Sequence, residues 1–271
     1  MATCYRHPDR ETGVACANCR RPICPDCMTT TPVGMRCPEC ARERTRVKTG
    51  TAAFGRAGAT PVTTFLIAVN VIVFLIEIGS GSGGFNGGGN VIENFSVFAP
   101  KIADGEWYRV LTGGFLHAGL LHIGFNMYAL YILGQLLEPA FGALRFTAMY
   151  FASLFAGSLG VVLLEPHTPA VGASGAIFGL FAAAFVIARG RRLEAIATQL
   201  GFLLVINLAL TFGIPGIAIG AHLFGAGCGI LCGLLILAGD REILGRNRVP
   251  VETAAMALLG AAAAIAGVAL A

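Results

Sequence analysis

Seven apolar segments, all but one of membrane-spanning length, follow one another from Pro61 to the last residue, separated by Gly, Pro and short charge clusters. About 20 apolar residues cross the roughly 30 Å hydrocarbon layer as a helix, and a backbone in lipid must satisfy its own hydrogen bonds. The fold class that follows is an all-α polytopic membrane protein. The spans read as 62–79, 119–137, 144–164, 174–188, 194–213, 218–238 and 251–271. At 1.5 Å per residue, the fourth is too short to cross the bilayer by itself. Only 13% of the residues are charged, against about 25% in an average soluble domain, so the chain cannot cover a water-facing surface.

The chain divides into a cysteine-dense module at 1–45, a basic linker at 46–61 and a six-span bundle at 62–238. A basic loop at 239–250 and the seventh span at 251–271 follow. Between the first two spans, 80–118 starts Gly-rich and turns apolar and aromatic, the pattern of a loop with amphipathic pieces at the interface. Arg42, Arg44, Arg46, Lys48 and Arg56 precede the first span; Arg189, Arg191 and Arg192 follow the fourth; Arg241, Arg246 and Arg248 follow the sixth. The loops at 165–173 and 214–217 carry neither Lys nor Arg. Positive loops stay inside, so the N-terminus is expected in the cytoplasm and the C-terminus outside, in the plasma (inner) membrane. The net charge of +4 is then a topology signal, and no nucleic-acid partner is expected. The polar, Cys-rich first forty residues carry no apolar stretch of the kind a cleavable signal peptide needs.

Seven of the nine cysteines lie in the first forty residues, in the pattern Cys4-x2-His7, Cys16-x2-Cys19, Cys24-x2-Cys27, Cys37-x2-Cys40. Ligands two residues apart grip one side of a tetrahedral zinc, and a second pair completes it. Four pairs are enough for two structural zinc ions. A disulfide framework is the rival, and a reducing cytoplasm argues against it. Ions with all ligands taken by protein leave no open position for chemistry, so the module is expected to bind a cytoplasmic partner or to regulate. Cys228 and Cys232 sit within an apolar span and read as small packing residues.

Polar groups inside spans are costly and mark function by default. His122 and Asn126 lie one helical turn apart in the second span. Ser174 opens the short fourth span in Gly172-Ala173-Ser174-Gly175, and His222 stands near the start of the sixth in Ala221-His222-x-x-Gly225-x-x-x-Gly229. On the topology above, all four lie in the outer half of the membrane. A serine hydroxyl is a weak nucleophile unless an imidazole takes its proton, which assigns Ser174 as nucleophile and His222 as base. The Asn126 amide, the His122 ring N–H and the Ser174 backbone N–H are donors for an oxyanion. Gly175 and Gly179 on one span, and Gly225, Gly229 and Gly233 on another, let two helix backbones approach closely. No cofactor is needed for such chemistry.

These stretches resemble the rhomboid family of intramembrane serine proteases. The matching motifs are Gly105-Glu106-Trp107-Tyr108-Arg109, His117-x4-His122-x3-Asn126, the Gly-Ala-Ser-Gly run and the Ala-His-x-x-Gly-x-x-x-Gly run, in family order over about 61–238. The resemblance implies a six-helix core with a Ser–His dyad lacking an acidic third member, and an oxyanion site of His122, Asn126 and backbone. It implies substrates that are transmembrane helices, and a Trp107/Arg109 loop half-immersed in the outer leaflet. The seventh span is an elaboration of that core. One departure is Phe178, where many relatives carry a tyrosine that packs on the catalytic histidine; Phe can stack but offers no hydroxyl. The cysteine spacing resembles B-box-type zinc fingers, whose pairs alternate between ions. That resemblance implies Cys4, His7, Cys24 and Cys27 on one zinc, and Cys16, Cys19, Cys37 and Cys40 on the other.

Three other readings compete. A proton-coupled transporter should show a repeat between halves, and none is visible. A non-catalytic relative that captures membrane helices would lack the serine or the histidine. A mere anchor for the zinc module would need a single span.

Overall fold

The computed structural model describes residues 2–31, 34–42, 60–81, 89–240 and 247–271. Most of the linker expected at 46–61, the Gly-rich start of the 80–118 loop and the middle of the 239–250 loop lie outside the described residues. The chain forms two compact units, Met1–Lys48 and Thr49–Ala271, each taken separately below.

In the first unit, strands β1 (Ala2–Thr3) and β2 (Glu11–Thr12) pair antiparallel, as do β3 (Thr29–Thr31) and β4 (Gly34–Arg36). A short helix α1 (Pro38–Arg42) closes it. Its buried cluster consists of Cys4, Cys16, Cys24, Cys27, Cys37, Cys40 and Ile23. One aliphatic side chain among thiols is too little apolar surface to hold a unit of this size.

The second unit is helical. Helix α2 (Pro61–Gly79) is followed by three short helices, α3 (Asn90–Phe95), α4 (Ala99–Ala103) and α5 (Arg109–Thr112). The long helices are α6 (Leu120–Phe141), α7 (Ala143–Leu164), α9 (Glu194–Gly213), α10 (Ile219–Gly239) and α11 (Arg248–Ala269), with the shorter α8 (Ser174–Gly190) between α7 and α9. Six of these are long and apolar enough to cross a membrane, and α8 is the shorter apolar one. Helix α6 runs on through Pro139, past the end expected at 137. Large apolar side chains stand exposed on the outer helices, among them Phe65, Phe125, Phe202, Phe212 and Leu258, a surface suited to lipid and not to water.

Helices α7, α8 and α10 form the centre. A Cβ on Gly225 would stand 2.8 Å from the carbonyl carbon of Gly175, and one on Gly229 2.6 Å from that of Gly179. The third partner was not foreseen: Gly157 of α7 faces the Gly175 Cα, at 3.2 Å from a built Cβ, and Gly160 abuts Gly220. Three backbones therefore meet where the sequence suggested two.

Carboxylates take over two helix starts that lack side-chain caps, those of α2 and α10. The first turn of α2 has no cap of its own. Glu138 of α6, 2% exposed, accepts hydrogen bonds from the N–H groups of Val62 and Thr63 (both 2.9 Å) and from the Thr63 hydroxyl (2.6 Å). An anion at a helix N-terminus satisfies orphan donors and suits the dipole. Glu165 does the same for α10, accepting from Ile219 N–H at 2.7 Å. Glu252 ties α11 to α7 through Arg145 (2.8 Å), and one turn back in its own helix it also pairs with Arg248 (2.8 Å).

The segment after α2 is folded onto the bundle. Arg109, 1% exposed, pairs with Glu106 at 2.6 Å and donates to the carbonyls of Glu93 (2.9 Å) and Ser96 (3.1 Å). Hydrogen bonds from Arg109, then from Tyr108, hold the Glu106 carboxyl below its ordinary range. Val97 and Ala170 exchange both backbone hydrogen bonds at 2.9 Å, and Gly172 N–H donates to Gly113 at 2.9 Å. The segment ahead of α8 is thereby tied to the loop.

Candidate active site

Helix α8 starts at Ser174, so its first-turn N–H groups point out of the helix without side-chain caps. His222 lies one turn into α10, which Glu165 caps. The glycine crossing brings the two together: His222 Nε2 stands 2.8 Å from Ser174 Oγ. Phe178, one turn along α8, stacks on the imidazole with ring centroids 4.0 Å apart and planes inclined by 16°. Sequence reasoning predicted that contact as the one a phenylalanine could still make.

The ring's other nitrogen has a partner that sequence reasoning missed. His222 Nδ1 lies 2.6 Å from the hydroxyl of Thr211 on α9. A threonine in Leu-Ala-Leu-Thr-Phe-Gly gives no signal, because hydroxyls in apolar helices commonly bond to their own backbone. Glu165, in the loop after α7, holds the turn that carries His222 by accepting from the N–H groups of Ile219 and Gly220.

His122 faces the same place. Ala118 N–H donates to His122 Nδ1 at 3.3 Å, which leaves the ring proton on Nε2, free to be given to a ligand. A Cβ on Gly172 would stand 2.8 Å from His122 Nε2 and 3.5 Å from Ser174 Oγ, and φ there is +128°. Both constraints demand glycine. Gly172, grouped by sequence with the helix-packing glycines, belongs instead to the loop ahead of α8, where it makes room for the His122 ring. Gly175, Gly179, Gly225 and Gly229 are at the helix crossing as expected. The Asn126 amide nitrogen is buried and has no hydrogen-bond partner among the described residues, and a buried donor without a partner is costly unless a ligand is to take it. Cys228 and Cys232 are buried within α10, away from this cluster in sequence and role.

The expected metal ligands form two groups, Cys4/His7/Cys24/Cys27 and Cys16/Cys19/Cys37/Cys40, the ligand atoms of each within 4.8 Å of one another. All nine cysteines are free thiols. The Sγ atoms of Cys24, Cys27 and Cys4 lie 3.3, 3.5 and 3.9 Å from His7 Nδ1, which picks Nδ1 as the ligating nitrogen. Cys19 and Cys37 Sγ are 3.8 Å apart. With Zn–S near 2.3 Å and Zn–N near 2.0–2.1 Å, tetrahedral geometry sets S···S at about 3.8 Å and S···N at about 3.6 Å. Both groups could hold a metal ion. Backbone Cys37 N–H (3.3 Å) and the Arg21 Nε–H (3.3 Å) donate to the sulfurs of Cys16 and Cys19, the kind of outer support that thiolate ligands use.

The second unit is thus a multi-pass helical membrane protein with a serine–imidazole pair at the meeting of two spans. Residues 104–239 match the rhomboid domain family. The chain is 36% identical over 186 residues to rhomboid protease GluP of Bacillus subtilis, a match covering 66% of this chain and 35% of the relative. It is 31% identical over 187 residues to the putative rhomboid protease YdcA of the same organism, covering 66% of this chain and 87% of that one. Rhomboid-like protease 1 of Toxoplasma gondii is 32% identical over 155 residues, 54% of this chain and 53% of the relative. The chain belongs to the rhomboid family. Its match spans about a third of the length of the first of these relatives and most of the second.

Proposed function

We propose that this chain is an intramembrane serine endopeptidase that hydrolyses peptide bonds in or near transmembrane helices, with Ser174 as nucleophile and His222 as base. The observation that carries this reading is the 2.8 Å contact between His222 Nε2 and Ser174 Oγ. Attack by Ser174 on a carbonyl carbon passes the hydroxyl proton to Nε2 and places negative charge on the carbonyl oxygen. His122 Nε2–H, the unpartnered Asn126 amide and the Ser174 N–H are the donors for that oxygen. The imidazolium then gives its proton to the leaving amine, and a water activated by the same base releases the acyl group. Helix α8, about 26 Å long at 1.5 Å per residue, is shorter than the hydrocarbon layer, which supports a water-reachable nucleophile.

The test is labelling of detergent-solubilised protein with a fluorophosphonate, which reacts with activated serines. Wild type is expected to label, and Ser174→Ala and His222→Ala to lose the label. Equal labelling of Ser174→Ala would end the assignment.

The N-terminal unit, in this reading, is a B-box-like finger (1–45) on a basic linker (46–61), with two structural zinc ions in the groups described above. Zinc supplies folding energy there and no catalysis. Orientation follows the Lys/Arg bias: finger in the cytoplasm, facing a cytoplasmic partner, and C-terminus outside the plasma (inner) membrane. Metal analysis should find about two zinc ions per chain in wild type and about one in Cys4→Ser, with fluorophosphonate labelling intact. Unchanged zinc in Cys4→Ser would refute the ligand set.

A further inference from the structure

The histidine of a serine hydrolase must present an unprotonated nitrogen to the serine, and something must keep it from turning over. In triads that is a carboxylate on the other ring nitrogen. Here the described residues place no carboxylate on His222 Nδ1. They place the Thr211 hydroxyl there, at 2.6 Å, with Thr211 2% and His222 7% exposed.

The direction of that hydrogen bond can be worked out. A hydroxyl has one proton and two lone pairs. Thr211 Oγ1 lies 2.8 Å from the carbonyl oxygen of Asn207, one turn back on α9, and a carbonyl can only accept. With its proton donated to Asn207, the threonine turns an oxygen lone pair to the ring as an acceptor. Nδ1 must then carry the ring proton, which leaves the lone pair of Nε2 aimed at the Ser174 hydroxyl. The Phe178 stack sets the plane of the ring but not its rotation within that plane. The Nδ1–H to Oγ1 bond sets the rotation.

We infer that Thr211 is a positioning residue for His222, fixing the tautomer and the in-plane orientation of the base through a neutral hydroxyl. The inference rests on the protease reading and deepens it. It also explains why this Thr is buried at all. Ala197, Leu200 and Thr211 are the buried residues of α9, so a hydroxyl occupies one of the few points where that helix meets the bundle. The two-step relay from the Asn207 carbonyl through Thr211 to His222 runs along one helix face, since 207 and 211 are a turn apart.

A neutral acceptor orients an imidazolium without neutralising it. Its loss should therefore cost less than the ~10⁴-fold seen when a triad carboxylate becomes an amide. Thr211→Val keeps the shape and removes the acceptor. Cleavage of a transmembrane-helix substrate is expected to fall about 10- to 100-fold in kcat, with KM changed less than about threefold. Thr211→Ser retains the hydroxyl and should recover to within about threefold of wild type. Nitrogen NMR of histidine-labelled wild type should report His222 with its proton on Nδ1.

The outcomes separate cleanly. Wild type that labels with fluorophosphonate at Ser174, with Thr211→Val labelling and turning over equally fast, overturns the inference while the protease reading stands. Failure of Thr211→Ser to restore turnover, or a wild-type ring protonated on Nε2, overturns it as well. Absence of Ser174 labelling in wild type removes the protease reading and this inference with it. The NMR reading needs no variant, so it decides even where Thr211→Val fails to fold.

Discussion

Ser174→Ala, His222→Ala and the double variant are each expected to lose substrate cleavage by a similar factor, on the order of 10⁴–10⁶ in turnover. In the proposed mechanism the serine and the imidazole, 2.8 Å apart, act as one unit. Without the base the hydroxyl is no nucleophile, and without the hydroxyl the base has nothing to activate. The losses should therefore not multiply. Residual cleavage would come from the donors around the oxyanion, which both substitutions leave in place. Measured turnover of the three variants with one transmembrane-helix substrate checks this. A double variant worse than either single by the product of their factors would mean that the two residues act independently, and the proposed proton transfer would fall.

Gly225→Ala and Gly229→Val should each cost at least about 100-fold in turnover, without touching a reacting atom. At both positions the added carbon would overlap a backbone carbonyl of α8, at Gly175 and Gly179 respectively. A carbonyl in a helix cannot swing aside as a side chain does, so the helices must part. A displacement of about 1 Å at reacting groups can lose about 100-fold, and overpacking of a filled core typically costs ~1–3 kcal/mol. The melting temperature in detergent should fall alongside activity. Gly227 supplies the control, because a Cβ there meets nothing within 4 Å. Gly227→Ala is expected to keep both. Equal loss in Gly227→Ala would mean that helix substitution in general, not the crossing, is responsible.

The long spans were legible because lipid leaves a sequence so little freedom. Twenty apolar residues in a row have one regular answer, and each long helix starts within three residues of its expected position. The cysteine pairs were legible for a similar reason, since ligands two residues apart are a spacing that tetrahedral metal sites use, and the pairs do come together in two groups. Ser174 and His222 stood out because polar groups are conspicuous in an apolar run. The remaining features are long-range. Glu138 reaches Thr63 from 75 residues away, and Thr211 meets His222 only because α9 and α10 fold back on each other. Gly157 and Gly160 belong to a helix with no catalytic candidate, so nothing in their own sequence surroundings announced that α7 joins the crossing. A Gly-Ala-Ser-Gly run does not reveal that Gly172, in the loop before α8, leaves room for the His122 ring.

The main-chain hydrogen bonds between Val97 and Ala170, and from Gly172 to Gly113, give the nucleophile a support made of peptide groups. Val97 and Ala170 are themselves buried, so packed side chains add to the main-chain bonds. Gly113 and Gly172 leave no room for a side chain, one crowded by Val97 and the other by His122. A change at Val97 or Ala170 would therefore reach Ser174 through the backbone that precedes α8, without any contact to the serine itself.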